Sequence, residues 1–252
     1  MFAMLHTRVR GIIAIGAMML VWLFTHEAYA IEIRTLEELQ KIGNDPAYPL
    51  DGSYTLMNDI DASVTVDWNG GKGFNPIGAI AFTGDFQGNG FKIRNLTINR
   101  PDENYVGLFR KVSGAQIRNV CLANAAITGG ISTGALIGKG QDSVVSQCCA
   151  TGSLVRGTRE TGGLAGYYSG TIAQSYALCT VMGEEKTGGL AGYFIGTLTQ
   201  CYAVSVVTGT NDTGGLTGYS VSSVSAPNCF WDREVSGQDV SSSGVGLDTV
   251  SM

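Results

Sequence analysis

Histidine, the usual proton shuttle and metal ligand, is almost missing from this chain. Its two copies, His6 and His26, both precede Ala30. Beyond Ala30 no Ser-His-Asp triad, Cys-His pair or His-ligated metal can be assembled. Six cysteines remain, at positions 121, 148, 149, 179, 201 and 229. Without His or a Cys-x-x-Cys they do not read as a zinc site, and no metal or cofactor is expected. Carboxylates are then the remaining catalytic candidates. Asp59, Asp61, Asp67 and Asp85 are the densest set, with Lys72, Lys92 and Arg94 in the same region. Two carboxylates about 5–10 Å apart can serve as acid and base on a glycosidic bond. The opposing reading is that Asp59 and Asp61 alternate on a strand and face solvent, while Asp85 lies in the turn-rich FTGDFQGNG segment. A catalytic role is not expected, and the chain is read as a non-enzyme.

Two further sets of side chains recur along the chain. Glu160, Glu184, Glu185 and Asp212 stand just before Thr-Gly-Gly triplets. Calcium would need several of these oxygens to converge, and Arg159 and Lys186 interrupt the row, so a solvated corner is expected. Thr161, Thr187 and Thr213 suggest an outward threonine ladder, but one column is too narrow for an ice-binding array.

The elements that carry these residues follow from composition and periodicity. Thirty-six of 252 residues are Gly, 15% are charged and 44% are hydrophobic. Collagen, coiled coil and charge-rich disorder are excluded, and an all-β chain with many tight turns fits. The start is a secretory signal peptide in three parts: basic Arg8 and Arg10, an apolar run Gly11 to Phe24, and a small-x-small site ending at Ala30. The apolar run is too short for a membrane anchor, which needs about 20 residues. Cleavage after Ala30 removes Arg8, Arg10 and Glu27, leaving 14 basic against 20 acidic residues. No basic patch emerges, so nucleic acid is a poor partner, and no later segment is apolar enough to span a membrane.

The second half repeats. TGGLAGY at 161–167 recurs at 187–193 and as TGGLTGY at 213–219, with weaker copies at 106–108 and 133–138. The leucines align as Leu108, Leu136, Leu164, Leu190 and Leu216. Between them the pattern has period two, as in Thr171 to Val181 and Thr197 to Val207, which argues strands. Gly170, Gly183, Gly196 and Gly209 are expected at bends. Three short strands per repeat predict one coil of a right-handed parallel β-helix, roughly eight coils in all. A β-propeller blade, at about 40 residues, is too long for this repeat. Stacking predicts inward columns of Leu164, Leu190 and Leu216; of Tyr167, Tyr193 and Tyr219; of Tyr176, Tyr202 and Phe230; and of Cys148, Ser175, Cys201 and Cys229. The cysteines either fill the core as small apolar groups or form at least one bridge, with Cys201–Cys229 the candidate pair. Thr35 to Gly43 is the one good helix signal. Thr35 and Glu38 form a capping box, and the helix is expected to cap the open end of the core.

These repeats resemble the GLUG motif, a Gly-Leu-x-Gly signature. It is present as Gly163-Leu164-Ala165-Gly166, Gly189-Leu190-Ala191-Gly192 and Gly215-Leu216-Thr217-Gly218. Residues 54–61, 75–78 and 82–90 are similar to the segment that precedes such repeats, and 228–232 to their usual close. The resemblance implies a secreted or surface-exposed bacterial protein, adhesin-like or akin to the non-catalytic part of immunoglobulin A-cleaving metallopeptidases. It supplies no catalytic residues, and the chain has no His-Glu-x-x-His site. The expected organisation is a signal peptide at 1–30, an N-terminal cap and irregular coils at 31–105, GLUG-type repeats at 106–232 and a tail at 233–252. The expected function is binding of an extracellular glycan or protein. An acidic-residue polysaccharide enzyme and a structural stalk, whole or truncated from a larger adhesin, are the alternatives.

Overall fold

The computed structural model describes residues 30–221 and 224–252. The signal peptide and the cleavage expected after Ala30 therefore lie outside the described residues, Ala30 excepted.

Alternating Thr, Val, Tyr and Ala side chains make strands, and short corners between them make a coil. One complete coil runs through Arg159–Gly162, Ala165–Ala173 and Tyr176–Met182, and the next begins at Glu185–Gly188. Every pairing between strands is parallel and joins one coil to the next. Stacked in this way, the strands form a right-handed parallel β-helix with sheets of nine, eleven and four strands. The nine-stranded sheet stacks eight strands in succession, hence about seven coils. The expected count of roughly eight is slightly high. The helix Leu36–Lys41 and the 3₁₀ segment Ser63–Gly71 consume residues without adding a coil.

Leu108, Leu136, Leu164, Leu190 and Leu216 are all fully buried, so the leucine column is the spine of the core. The cysteine–serine column also faces inward, with Cys148, Ser175, Cys201 and Cys229 buried. At the N-terminal end the Thr35–Glu38 capping box is formed, and Leu36, Leu39 and Ile42 join the core. Strand Ile31–Ile33 precedes this helix and pairs with Ser53–Leu56. Residues 233–252 do more than trail behind the array. Val245–Leu247 pairs with Phe230–Asp232, and Ser241, Ser242 and Ser243 bond to Thr217, so this segment closes the last coil.

Two expected inward columns are outward. Tyr167 and Tyr193 are half-buried and Tyr219 is 38% exposed. Tyr176, Tyr202 and Phe230 are likewise only half-buried. Neighbouring residues on a strand point to opposite faces, so the residue after the inward Ser175 or Cys201 must point out. The inward aromatics are the next residues along, Tyr168 and Phe194, both fully buried. The threonines err the other way. Of the expected ladder Thr161 and Thr187 are fully buried, and only Thr213 is partly exposed, so the three do not form an outward ladder. Gly183 and Gly209 lie between strands as expected, but the other two expected bends differ. Gly170 and Gly196 fall inside strands Ala165–Ala173 and Ala191–Thr199. Many corners are turned instead by left-handed polar residues such as Asn119, Gln147, Gln174, Gln200 and Asn228.

Candidate functional site: a lysine–tyrosine ladder

Five residues stand in register on the outer face of the nine-stranded sheet: Lys111, Lys139, Tyr167, Tyr193 and Tyr219. Each lies three positions after a column leucine. The corner fixes that leucine inward, and the strand that follows turns this position outward. Sheet spacing then sets the rungs about 4.8 Å apart. The Tyr167 and Tyr193 ring centroids are 5.1 Å apart at 16°, and Tyr193 and Tyr219 are 5.1 Å apart at 30°. Ring faces are thus largely spent on neighbouring rungs. What the ladder presents to solvent is ring edges and hydroxyl groups. Burial, with help from Tyr193 and Glu160, raises the Tyr167 phenol above its usual range, so it stays a protonated donor at physiological pH.

A second column borders the ladder at the corner before Val106 and the stacked threonines: Tyr105, Ser132, Glu160, Lys186 and Asp212, all in the left-handed region. For the aromatic Tyr105, at φ 61°, this costs about 1–2 kcal/mol. Its ring gains two cations in exchange, with Lys111 Nζ 5.2 Å and Lys139 Nζ 5.4 Å from the centroid. Lys139 also lies 5.4 Å from the Tyr167 ring, and Lys186 lies 4.9 Å from Tyr193 and 5.5 Å from Tyr219. Two clefts of about 280 and 260 Å³ share Tyr105 and Lys139 as a common wall. The first is completed by Lys111, Ser113 and Gln141, the second by Ser132, Arg159, Glu160 and Tyr167.

The acidic residues are otherwise engaged. Asp59 accepts the Lys92 N–H at 2.8 Å and an Arg94 Nη2 bond at 2.7 Å, which hold it below the usual carboxylate range. Asp61 accepts from Asn95 Nδ2 and the Ser63 N–H and is lowered for the same reason. Both carboxylates fasten one coil to the next. Asp67 and Asp85 are exposed, and among the described residues no three acidic, Cys or His side chains converge as a metal site would need. At the corner, Glu160 accepts from the Ser132 hydroxyl, and Arg159 pairs with Glu185 at 3.8 Å.

The disulfide is not the expected one. Cys121 is bonded to Cys149, while Cys201 and Cys229 are free and buried. Within the inward column a thiol does what serine does in neighbouring coils. Cys229 Sγ accepts the Cys201 N–H at 3.4 Å, just as Ser175 Oγ accepts the Cys148 N–H at 3.1 Å. Cys201 in turn directs its thiol to the carbonyls of Ile172 and Thr199. The bonded pair stands instead in the outward column continued by Tyr176 and Tyr202.

The signature glycines act by close approach. A Cβ on Gly163 would meet the Gly189 carbonyl at 2.2 Å, and one on Gly189 would meet that of Gly215 at the same distance. A Cβ on Gly166, Gly192 or Gly218 would strike backbone of the preceding coils at 2.4 Å, and one on Gly215 would strike the Trp231 ring. Lys111, Lys139 and Tyr105 escaped notice in the sequence. Their offset from the aligned leucines was the available signal.

No known family profile matches the chain. It is 40% identical over 143 residues to halomucin of Haloquadratum walsbyi, covering 54% of this chain and 2% of that protein. It is also 41% identical over 78 residues to a protein of Evansella cellulosilytica provisionally named a Gly-rich membrane protein, covering 30% of this chain and 9% of the other. The matched stretches are thus a small fraction of both relatives. Among solved structures, a protein of Bacteroides ovatus provisionally named an immunoglobulin A1 protease superposes with a TM-score of 0.67 at 22% identity. That match covers 87% of this chain and 70% of the other, and it speaks to the fold alone. Among the described residues no helix is long and apolar enough to cross a membrane.

Proposed function

We propose that this protein is a GLUG-type β-helix that works outside the cell as a non-enzymatic binding module, adhesive in character. The observation that carries the reading is the five-rung ladder from Lys111 to Tyr219, a repeated row of donors and cations held rigid by the core. Rigid presentation lowers the entropy lost on binding, and a repeated row suits an extended partner touched at several points. Asp59 and Asp61 are each engaged by the next coil, which weighs against their use as the acid and base of a polysaccharide-cleaving enzyme. The names of the two relatives, a mucin and a membrane protein, fit a role at or beyond the cell surface.

The test is a glycan and host-protein binding array probed with the full chain. Retention of an extended glycan or protein is expected, with clear loss in a Tyr167→Ser, Tyr193→Ser double variant. An array that stays blank, or binding indifferent to both tyrosines, overturns the reading.

A further inference from the structure

Lys111 and Lys139 are register partners on adjacent parallel strands, so two lysine side chains leave one face from backbone positions about one strand spacing apart. Like charges placed directly opposite one another destabilise a sheet. Of the fourteen Lys and Arg side chains among the described residues, five are in ion pairs. All the ion pairs among the described residues are made by arginines, at Arg34, Arg94, Arg100, Arg110 and Arg159. Among those residues neither Lys111 nor Lys139 has a carboxylate within ion-pair distance or a hydrogen-bond partner for its Nζ. Among the described residues Lys111 Nζ lies near the Tyr105 ring, and Lys139 Nζ near the Tyr105 and Tyr167 rings. Two positions further along the same strands, Ser113 and Gln141 are also register partners and wall the same cleft of about 280 Å³. No acidic side chain lines that cleft. The two coils concerned are the ones joined by Cys121–Cys149, so the repulsion acts across a covalent staple.

We infer that this cleft is an anion site for an acidic polysaccharide. A carboxylate or sulfate group would sit between Lys111 and Lys139, with sugar hydroxyls on Ser113 and Gln141. The inference deepens the binding-module reading and rests on it. A charge-assisted bond to each ammonium is the strong contact, and the phenol edge of Tyr105 bounds the sugar.

Binding of the full chain to polygalacturonate, dextran sulfate, neutral dextran and anionic phospholipid vesicles tests this. One or both acidic polysaccharides should bind, neutral dextran and vesicles should not, and the affinity should fall as salt rises. Lys111→Gln and Lys139→Gln should each weaken binding about tenfold. Dextran bound as tightly as the acidic polymers sinks the anion site and leaves the binding module standing. Vesicles bound as tightly as the polymers, or acidic binding untouched by both lysine variants, also overturns it. A module that binds proteins but no polysaccharide at all overturns this inference alone.

Discussion

Cys121 and Cys149 are register partners whose Cα atoms stand 4.5 Å apart on neighbouring coils, joined through their sulfurs. The bond closes a loop of one coil, with a sequence separation of 28. Chain-entropy arguments put its effect at about 3–4 kcal/mol. Cys149→Ser should therefore lower stability by that order, seen as a shifted urea midpoint. Reductant should shift the wild type to the same midpoint and leave the variant unmoved.

The other four cysteines should be silent in the folded protein. Burial pushes the Cys148 and Cys179 thiols up to about 12; the contact between the Cys201 and Cys229 thiols raises Cys201 and lowers Cys229, whose silence rests on its burial away from reagent. A thiol reagent at pH 8 should find none of them until denaturant is added, and then four. The raised values carry a sign for pH. Burying neutral Cys148 and Cys179 contributes stability in full below about pH 9, where the unfolded thiols are also neutral. That contribution should fade as pH climbs from 9 toward 12, as chemical denaturation along an alkaline series would record.

Gly189→Ala places a methyl 2.2 Å from the Gly215 carbonyl oxygen and 2.9 Å from the Ala203 Cβ. Coils would have to part, at about 3 kcal/mol or more, or roughly 6–12 °C in melting temperature. Gly237→Ala is the contrast. That residue is left-handed at φ 66° but open to solvent, and should cost only about 1–2 kcal/mol. Equal effects in calorimetry would refute the close-approach role of the signature glycines.

The buried threonines should respond unequally to valine. Among the described residues the Thr161 and Thr187 hydroxyls have no hydrogen-bond partner, whereas Thr133 donates to the Gly130 carbonyl at 3.0 Å. Thr161→Val and Thr187→Val should be neutral or stabilising by up to about 1 kcal/mol, because a buried unpaired hydroxyl carries a desolvation cost. Thr133→Val should destabilise by about 1 kcal/mol. Thermal melts of the three variants decide it.

Much of the fold was legible because equivalent residues recur at nearly fixed offsets. Leu164, Leu190 and Leu216 announced a stack, and the Thr35–Glu38 box announced the cap. What resisted was which way a residue faces at a corner. Tyr167 and Tyr168 are adjacent, and only the turn at Gly163-Leu164 decides that Tyr168 enters the core. The same uncertainty turned Thr161 the wrong way. For the cysteines, repeat spacing puts Cys121 beside Cys149 and Cys201 beside Cys229 alike. Their different fates follow from which face each pair occupies. The lysines of the ladder were hidden for another reason: Lys111 and Lys139 lie in degenerate copies, where no Gly-Gly-Leu marks the register.

A solenoid whose coils touch only their neighbours is mechanically a zipper. Pulled from one end, it should shed coils singly, each at modest force, until a cross-link is met. Here the link between Cys121 and Cys149 clasps the two coils that bear Lys111 and Lys139. Peeling from either side would stop there, leaving those two rungs as the last to part under load.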